Sequence, residues 1–214
     1  MLSASFYWVG SESHIDGVDP TYYYRYNEAI PIDRRIAILK EWLQLPADKR
    51  PHFITFYFPE VDHAEHHYGT NSTQTRDAVQ FVDHSMQQMN EMCAQLNLAI
   101  NFIFVSDHGM TNMDTLHTIP LPSVIDTNKF VIASGASLVH LYAKHKKDIK
   151  PTYRKLKKVT KDYDVYLATR APRRWHYRKK DDCFHRIGDI LLVPHLPEGF
   201  SFSGRKISYG AHGF

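Results

Sequence analysis

Two apolar runs, Phe53-Ile-Thr-Phe-Tyr-Phe58 and Asn101-Phe-Ile-Phe-Val105, each lead within a few residues into a carboxylate-histidine segment. The first run is followed by Val61-Asp-His-Ala-Glu-His66 and the second by Ser106-Asp-His-Gly109. Continuous apolar and β-branched runs of this length are expected of strands covered on both faces. Asp62 lies four residues past the first run and Asp107 two past the second. In open α/β sheets, ligands collect beyond the carboxyl ends of the strands. Two similar motifs in the same topological position therefore constrain the chain more than either does alone.

The intervening segments read as helices. Pro31 stands where a helix can begin, and Ile32, Ile36, Leu39 and Leu43 follow at spacing four, three, four. Leu45-Pro46 ends that helix. A long helix is expected from about Thr73 to Leu96, with Val79, Val82, Met86, Met89, Cys93 and Leu96 as its inward stripe. Lys129–Ala133, Leu138–Tyr142, Asp164–Ala168 and Asp189–Val193 are further strand candidates, and Thr152–Lys161 reads as a short basic helix. Strands alternating with helices predict an α/β fold, with a mostly parallel sheet and helices on both faces.

At 214 residues the chain can bury a real core as one domain or a large piece of one. No apolar run reaches the roughly 18–20 residues that span a membrane. The first residues lack the basic and apolar regions of a signal peptide. Two cysteines, Cys93 and Cys183, give no spacing diagnostic of zinc ribbons or redox chemistry. The net charge of +3 conceals a split. Residues 1–143 hold 8 Lys+Arg against 16 Asp+Glu, and residues 144–214 hold 18 against 7. The basic part reads either as a nucleic-acid patch or as solvated loops and a helix face. No nucleic-acid-binding motif accompanies the charge, so the solvated reading is preferred and no specific nucleic-acid partner is expected.

Asp62 and His66, at i and i+4, share one face of a helical turn. A carboxylate oxygen with an imidazole nitrogen suits zinc best, with manganese and iron as alternatives. Adjacent Asp107 and His108 can bind one metal from a loop, which Gly109 allows. His212, between Gly210-Ala and Gly213, has a backbone pliant enough for a distant imidazole to reach the same place. Asp62, His66, Asp107, His108 and His212 together suggest a dinuclear site of the kind that splits phosphate esters. No residue is an obvious nucleophile, and the remaining histidines are read as satisfied or solvated.

The chain resembles the catalytic domain of the nucleotide pyrophosphatase/phosphodiesterase family, of the alkaline phosphatase superfamily. The resemblance runs from Ser3-Ala-Ser-Phe-Tyr-Trp-Val-Gly-Ser-Glu12 and Tyr26-Asn27 through Ile38–Pro46. Its most specific pieces are Asp62-x-x-x-His66-x-Tyr-Gly69, Val105-Ser-Asp-His-Gly-Met110 and Gly210-Ala-His-Gly213. It implies a partial alkaline phosphatase-like three-layer α/β/α sandwich over residues 1–214. In that reading the domain lacks its N-terminal nucleophile segment and its C-terminal end. It implies two zinc ions per complete site, one on Asp62, His66 and His212 and the other on Asp107, His108 and ligands lying elsewhere. The nucleophilic threonine would lie before Met1, and Thr21 stands in the wrong context. Trp8, Tyr26 and Tyr57 would line the pocket for a nucleobase.

The implied activity is hydrolysis of nucleotide phosphodiester or pyrophosphate bonds in two displacements, releasing nucleoside 5′-monophosphates outside the cytoplasm. The alternatives are a choline-type phospholipid phosphodiesterase, a phosphomonoesterase, or an inactive fragment or interaction module. Three positions depart from the family pattern. Val9 and Val61 stand where proline is usual, and Glu65 where glycine is usual, beside His66.

Overall fold

The computed structural model describes residues 1–202, 204 and 206–214. The chain divides into two compact units. One comprises Met1–Ala64 and Thr73–Val105, the other Glu65–Ser72 and Ser106–Phe214.

The first unit is built on a parallel sheet ordered β2-β1-β3, with β1 at Ser3–Phe6, β2 at Tyr22–Tyr24 and β3 at Phe53–Phe56. Helix α1, Ile32–Leu43, starts directly after Pro31, whose φ of −65° suits a helix start and whose missing N–H costs nothing there. Ile38 and Trp42 of α1 pack with Ala4, Phe6 and Tyr7 of the first strand region. Leu39 and Leu43 turn instead to Met89 and Cys93 of α3, Thr73–Ala94. Full burial of each such aliphatic side chain contributes roughly 1.5–3 kcal/mol, so α1 is held by its packing on two clusters. The α3 stripe is buried only towards its C-terminal end. Val79, expected inward, is 50% exposed.

One buried ion pair fastens this unit. Arg35 of α1 is 4% exposed. Its Nη2 reaches Glu60 Oε1 at 2.5 Å, and its Nε donates to the Ile30 carbonyl at 2.8 Å. Glu60 is the first residue of helix α2, Glu60–Tyr68, which runs from the first unit into the second.

The expected strand at Asn101–Val105 is not formed. The segment carries no ladder pairing among the described residues, although Phe102 still packs on the α1–α3 cluster. Ile103, Phe104 and Val105 are 84%, 57% and 72% exposed. Among the described residues β3 pairs with β1 along one edge only. The run has strand propensity without a neighbour that supplies hydrogen bonds, and propensity alone does not make a ladder.

The second unit has a four-stranded sheet ordered β6-β7-β9-β8, comprising Phe130–Ser134, Val139–Ala143, Ile190–Pro194 and Tyr163–Leu167. All its pairings are antiparallel. The parallel sheet expected from strand-helix alternation is therefore that of the first unit, and these four candidates form a sheet of the opposite kind. Ile190, Leu191 and Leu192 are each fully buried in the central β9. Ile190 and Leu192 face a cluster with Val139, Leu141, Leu156 and Val165, whereas Leu191 faces Ala168, Ala171 and Ile187. Helix α4, Ile149–Val159, covers the first face with Leu156. Two short pairings complete the unit. β5 (Thr118–Ile119) runs parallel to β10 (Gly199–Phe200), and β4 (Thr111–Asn112) runs antiparallel to β11 (Gly210–Ala211). Among the described residues no helix is long and apolar enough to cross a membrane.

Candidate metal centre and aromatic pocket

The β4–β11 pairing decides where the histidines fall. Its register sets Thr111 opposite Ala211 and Asn112 opposite Gly210. The Asp107-His108 loop leads into β4 and His212 leaves β11, so residues about a hundred positions apart are brought side by side. The rings of His108 and His212 stack at 3.7 Å between centroids, only 11° from parallel. Met113 N–H extends the pairing by donating to the Tyr209 carbonyl at 2.8 Å.

His66 joins them through a reciprocal clasp between α2 and the chain entering β11. Tyr209 N–H donates to the His66 carbonyl at 3.0 Å, and His66 Nδ1 donates to the Gly210 carbonyl at 2.8 Å. The rings of His66 and His212 lie 5.2 Å apart. Two glycines permit this closeness. A Cβ on Gly210 would meet the Glu65 carbonyl oxygen at 2.5 Å. Gly69, just past α2, has φ +81°, and a Cβ there would meet Asn112 Oδ1 at 2.9 Å. That Asn112 oxygen accepts from Thr70 N–H at 2.8 Å, tying the end of α2 to β4. Asn112 carried no sequence signal. Gly69 and Gly210 were visible only as motif letters.

The donor set fits a divalent cation. With Nδ1–H given to Gly210, the neutral His66 ring keeps its lone pair on Nε2, the arrangement that orients metal-ligating histidines. His66 and His212 offer ligand nitrogens within 4.8 Å of each other. Asp62, one turn earlier on α2, offers an oxygen within the same distance of the His66 donor. The i, i+4 reading of this pair is thus met by a real helix. Asp107 and His108 are held to each other. Asp107 Oδ1 accepts the His108 backbone N–H at 3.0 Å, and Oδ2 lies 3.5 Å from His108 Nε2. His63, the neighbour of Asp62, turns away and meets Glu28 Oε2 at 3.4 Å.

The three aromatic residues read as a pocket also meet, within the first unit. Trp8 and Tyr57 make an edge contact at 5.8 Å, and Tyr26 lies 6.4 Å from Tyr57. Trp8 is 38% and Tyr26 39% exposed, so the cluster keeps ring surface open. Tyr7 lies beneath, fully buried, 5.3 Å from the Tyr26 ring. Burial pushes the Tyr7 hydroxyl up to about 12, against the opposing pull of Arg35. Burial also raises the Tyr26 hydroxyl, helped by its 2.7 Å hydrogen bond to Glu28 Oε1. Both phenols are therefore neutral throughout the physiological range, and that of Tyr26 donates to Glu28.

Comparison with known proteins gives the family. The family model Type I phosphodiesterase / nucleotide pyrophosphatase matches residues 1–214. Venom phosphodiesterase of Naja atra is 31% identical over 226 aligned residues, covering 100% of this chain and 27% of that protein. Human ectonucleotide pyrophosphatase/phosphodiesterase family member 1 is 41% identical over 112 residues, 51% of this chain and 12% of its own length. Among solved structures, an inactive threonine-to-alanine variant of murine ectonucleotide pyrophosphatase/phosphodiesterase 5, in complex with AMP, superposes with a TM-score of 0.84 at 26% identity. That match covers 100% of this chain and 56% of the other. The chain belongs to the type I phosphodiesterase/nucleotide pyrophosphatase family and has its alkaline phosphatase-like α/β fold. The chain spans about a quarter of the length of the Naja atra relative, and the aligned half of it covers 12% of the human one.

Proposed function

We propose that this chain carries the metal-binding and base-binding parts of a hydrolase acting on nucleotide phosphodiester or pyrophosphate bonds outside the cytoplasm. Asp62, His66 and His212 would hold one zinc ion. Asp107 and His108 would supply part of the shell of a second, completed by residues outside these 214. When bound, two such cations offset charge on the phosphoryl oxygens and lower the pKa of the attacking group.

The chain's own residues do the positioning. The Gly210 carbonyl fixes the tautomer and plane of His66. The β4–β11 pairing sets His108 against His212. Trp8, Tyr26 and Tyr57 present ring faces for a nucleobase, an interaction worth roughly 1–3 kcal/mol per stacked base. The nucleophile would be a threonine outside these residues, and the inactive threonine-to-alanine relative solved with AMP supports a threonine in that role. The expected product is the nucleoside 5′-monophosphate.

The observation that carries this reading is the clasp that holds the His66 and His212 nitrogens within 4.8 Å, with Asp62 one helical turn from His66. The test is hydrolysis by the polypeptide bearing these residues together with its flanking sequence. ATP, a dinucleotide and a p-nitrophenyl nucleotide diester are compared with a lysophospholipid and a phosphate monoester. Zinc-dependent turnover of the nucleotides, lost in His66→Ala and His212→Ala, is the expected result. Preference for the lysophospholipid or the monoester overturns the substrate assignment, and turnover indifferent to chelator overturns the metal site.

A further inference from the structure

The second unit holds a cavity of about 300 Å³ lined by Arg173, Arg174, His176, Arg178, Lys180 and Asp181. That volume is about ten times a water molecule's share of the liquid, enough for a compact ligand.

Its cations are arrayed by backbone structure. One-turn 3₁₀ segments at Arg173–Trp175 and Lys179–Asp181 bracket the loop. Between them His176 takes a left-handed φ of 50°, a conformation uncommon outside glycine and held by its surroundings. Arg178 Nε donates to the Ala171 carbonyl at 2.6 Å, anchoring one wall. The Arg174 guanidinium rests over the Trp175 ring at 5.7 Å, and that ring in turn meets Tyr166 edge-on at 5.2 Å.

One carboxylate, Asp181, lines the cavity beside Lys180, and the other neighbouring carboxylates are spent elsewhere. Asp181 Oδ2 accepts the Arg178 backbone N–H at 3.1 Å, and its Oδ1 is no nearer to Lys180 than 4.0 Å. Asp182 gives one oxygen to the Arg186 N–H and the other to the Ile187 N–H, each at 2.8 Å. Asp189 takes Lys179 Nζ at 3.1 Å and the Ala143 N–H at 2.9 Å. Arg173 and Arg174 have no carboxylate partner among the described residues. A solvated basic face would spread its charges outward. Here Arg173, Arg174, Arg178 and Lys180 line one solvent-open concavity together with Asp181, and the excess of like charge raises the local potential for an anion. Guanidinium groups match the fork geometry of phosphate and sulfate oxygens.

We infer that this cavity is a binding site for a compact, multiply charged oxyanion, bound through Arg173, Arg174 and Lys180. A short phosphate chain and a sulfated sugar share this chemistry. The site is distinct in its residues from the proposed metal centre and does not rest on it.

The test is calorimetric titration of the 214-residue chain with inorganic triphosphate and, separately, with a sulfated disaccharide. Trp175-sensitive fluorescence is followed in parallel. A chelator is present throughout, so that no bound metal contributes. Saturable binding is expected, with orthophosphate weaker by at least about tenfold and with marked weakening at roughly half-molar salt. Arg173→Ser/Arg174→Ser weakens it by about tenfold or more, and Lys180→Ser by less. All three residues are exposed, so the variants should keep their circular dichroism. The tighter of the two anions names the natural source of the charge. Absence of saturable binding by either, or equal binding by the double variant, overturns the inference.

Discussion

Gly210 passes so close to Glu65 that only a hydrogen atom fits between the two backbones. This approach lets His66 Nδ1 reach the Gly210 carbonyl, and so fixes the ring that faces His212. Gly210→Ala must push β11 off α2. Overpacking of this kind costs about 1–3 kcal/mol. The expected outcome is a lower urea midpoint and zinc affinity weakened by at least about tenfold. Unchanged zinc binding by calorimetry would show that the clasp does not orient the ligands.

Asp62 supplies the hard oxygen beside two imidazoles. Asp62→Ala is expected to weaken zinc binding by more than about tenfold, because a ligand shell of two neutral nitrogens lacks the charge that stabilises the cation. Glu65→Gln, whose side chain is not assigned to the ion, serves as the comparison. Equal zinc affinity in Asp62→Ala and the unaltered chain contradicts the assignment.

Arg35, almost fully buried, and Glu60, partly buried, form an ion pair at the start of α2. Removing one partner leaves the other charged and desolvated. Arg35→Ala is expected to destabilise the fold by roughly 3–5 kcal/mol, with Arg35→Met/Glu60→Gln recovering part of the loss. Denaturant unfolding of the three proteins measures this. A single variant no worse than the double one removes the pair from the account.

His140 gives a pH signature. Burial lowers its pKa, with Asp182 acting the other way. Gly188 N–H donates to its Nδ1 at 3.1 Å, which requires the neutral ring. The unfolded chain takes up a proton near the ordinary value of about 6.5, whereas the folded chain does so only at lower pH. This contribution is therefore complete above about pH 6.5 and is lost as pH falls through the folded-state value. Thermal melts across that window should drop more steeply for the unaltered chain than for His140→Gln. Parallel curves would refute the assignment.

Trp8 and Tyr26 are the open rings of the aromatic cluster. Tyr26→Ala is expected to weaken AMP binding by about 1–3 kcal/mol, the value of one stacked base. Binding of ribose 5-phosphate should be unaffected. Equal losses for both ligands would mean that the ring shapes the pocket without touching the base.

The sequence disclosed the helices and the ligand types more readily than the pairings. The four-three-four spacing from Ile32 to Leu43 and the start at Pro31 are local properties, and α1 forms where they say. The i, i+4 relation of Asp62 and His66 is local too. The antiparallel sheet was less visible, although the short gap between Ser134 and Val139 is a hairpin length that forbids a parallel crossover. The meeting of His108 with His212 depends on a two-residue pairing between distant segments, and only the motif resemblance pointed to it. Asn112 and the Arg35–Glu60 pair act through burial and backbone contacts, for which residue identity alone gives no signal.

The bare ribbon at Ile103, Phe104 and Val105, beside the one-sided strand at Phe53–Phe56, has a practical consequence. An oily, uncharged, exposed stretch that carries no ladder pairing among the described residues is adhesive towards any chain that can lie along it. Handled alone, this polypeptide should clump as its concentration rises. A lysine grafted at Ile103 is the simplest way to keep it dispersed.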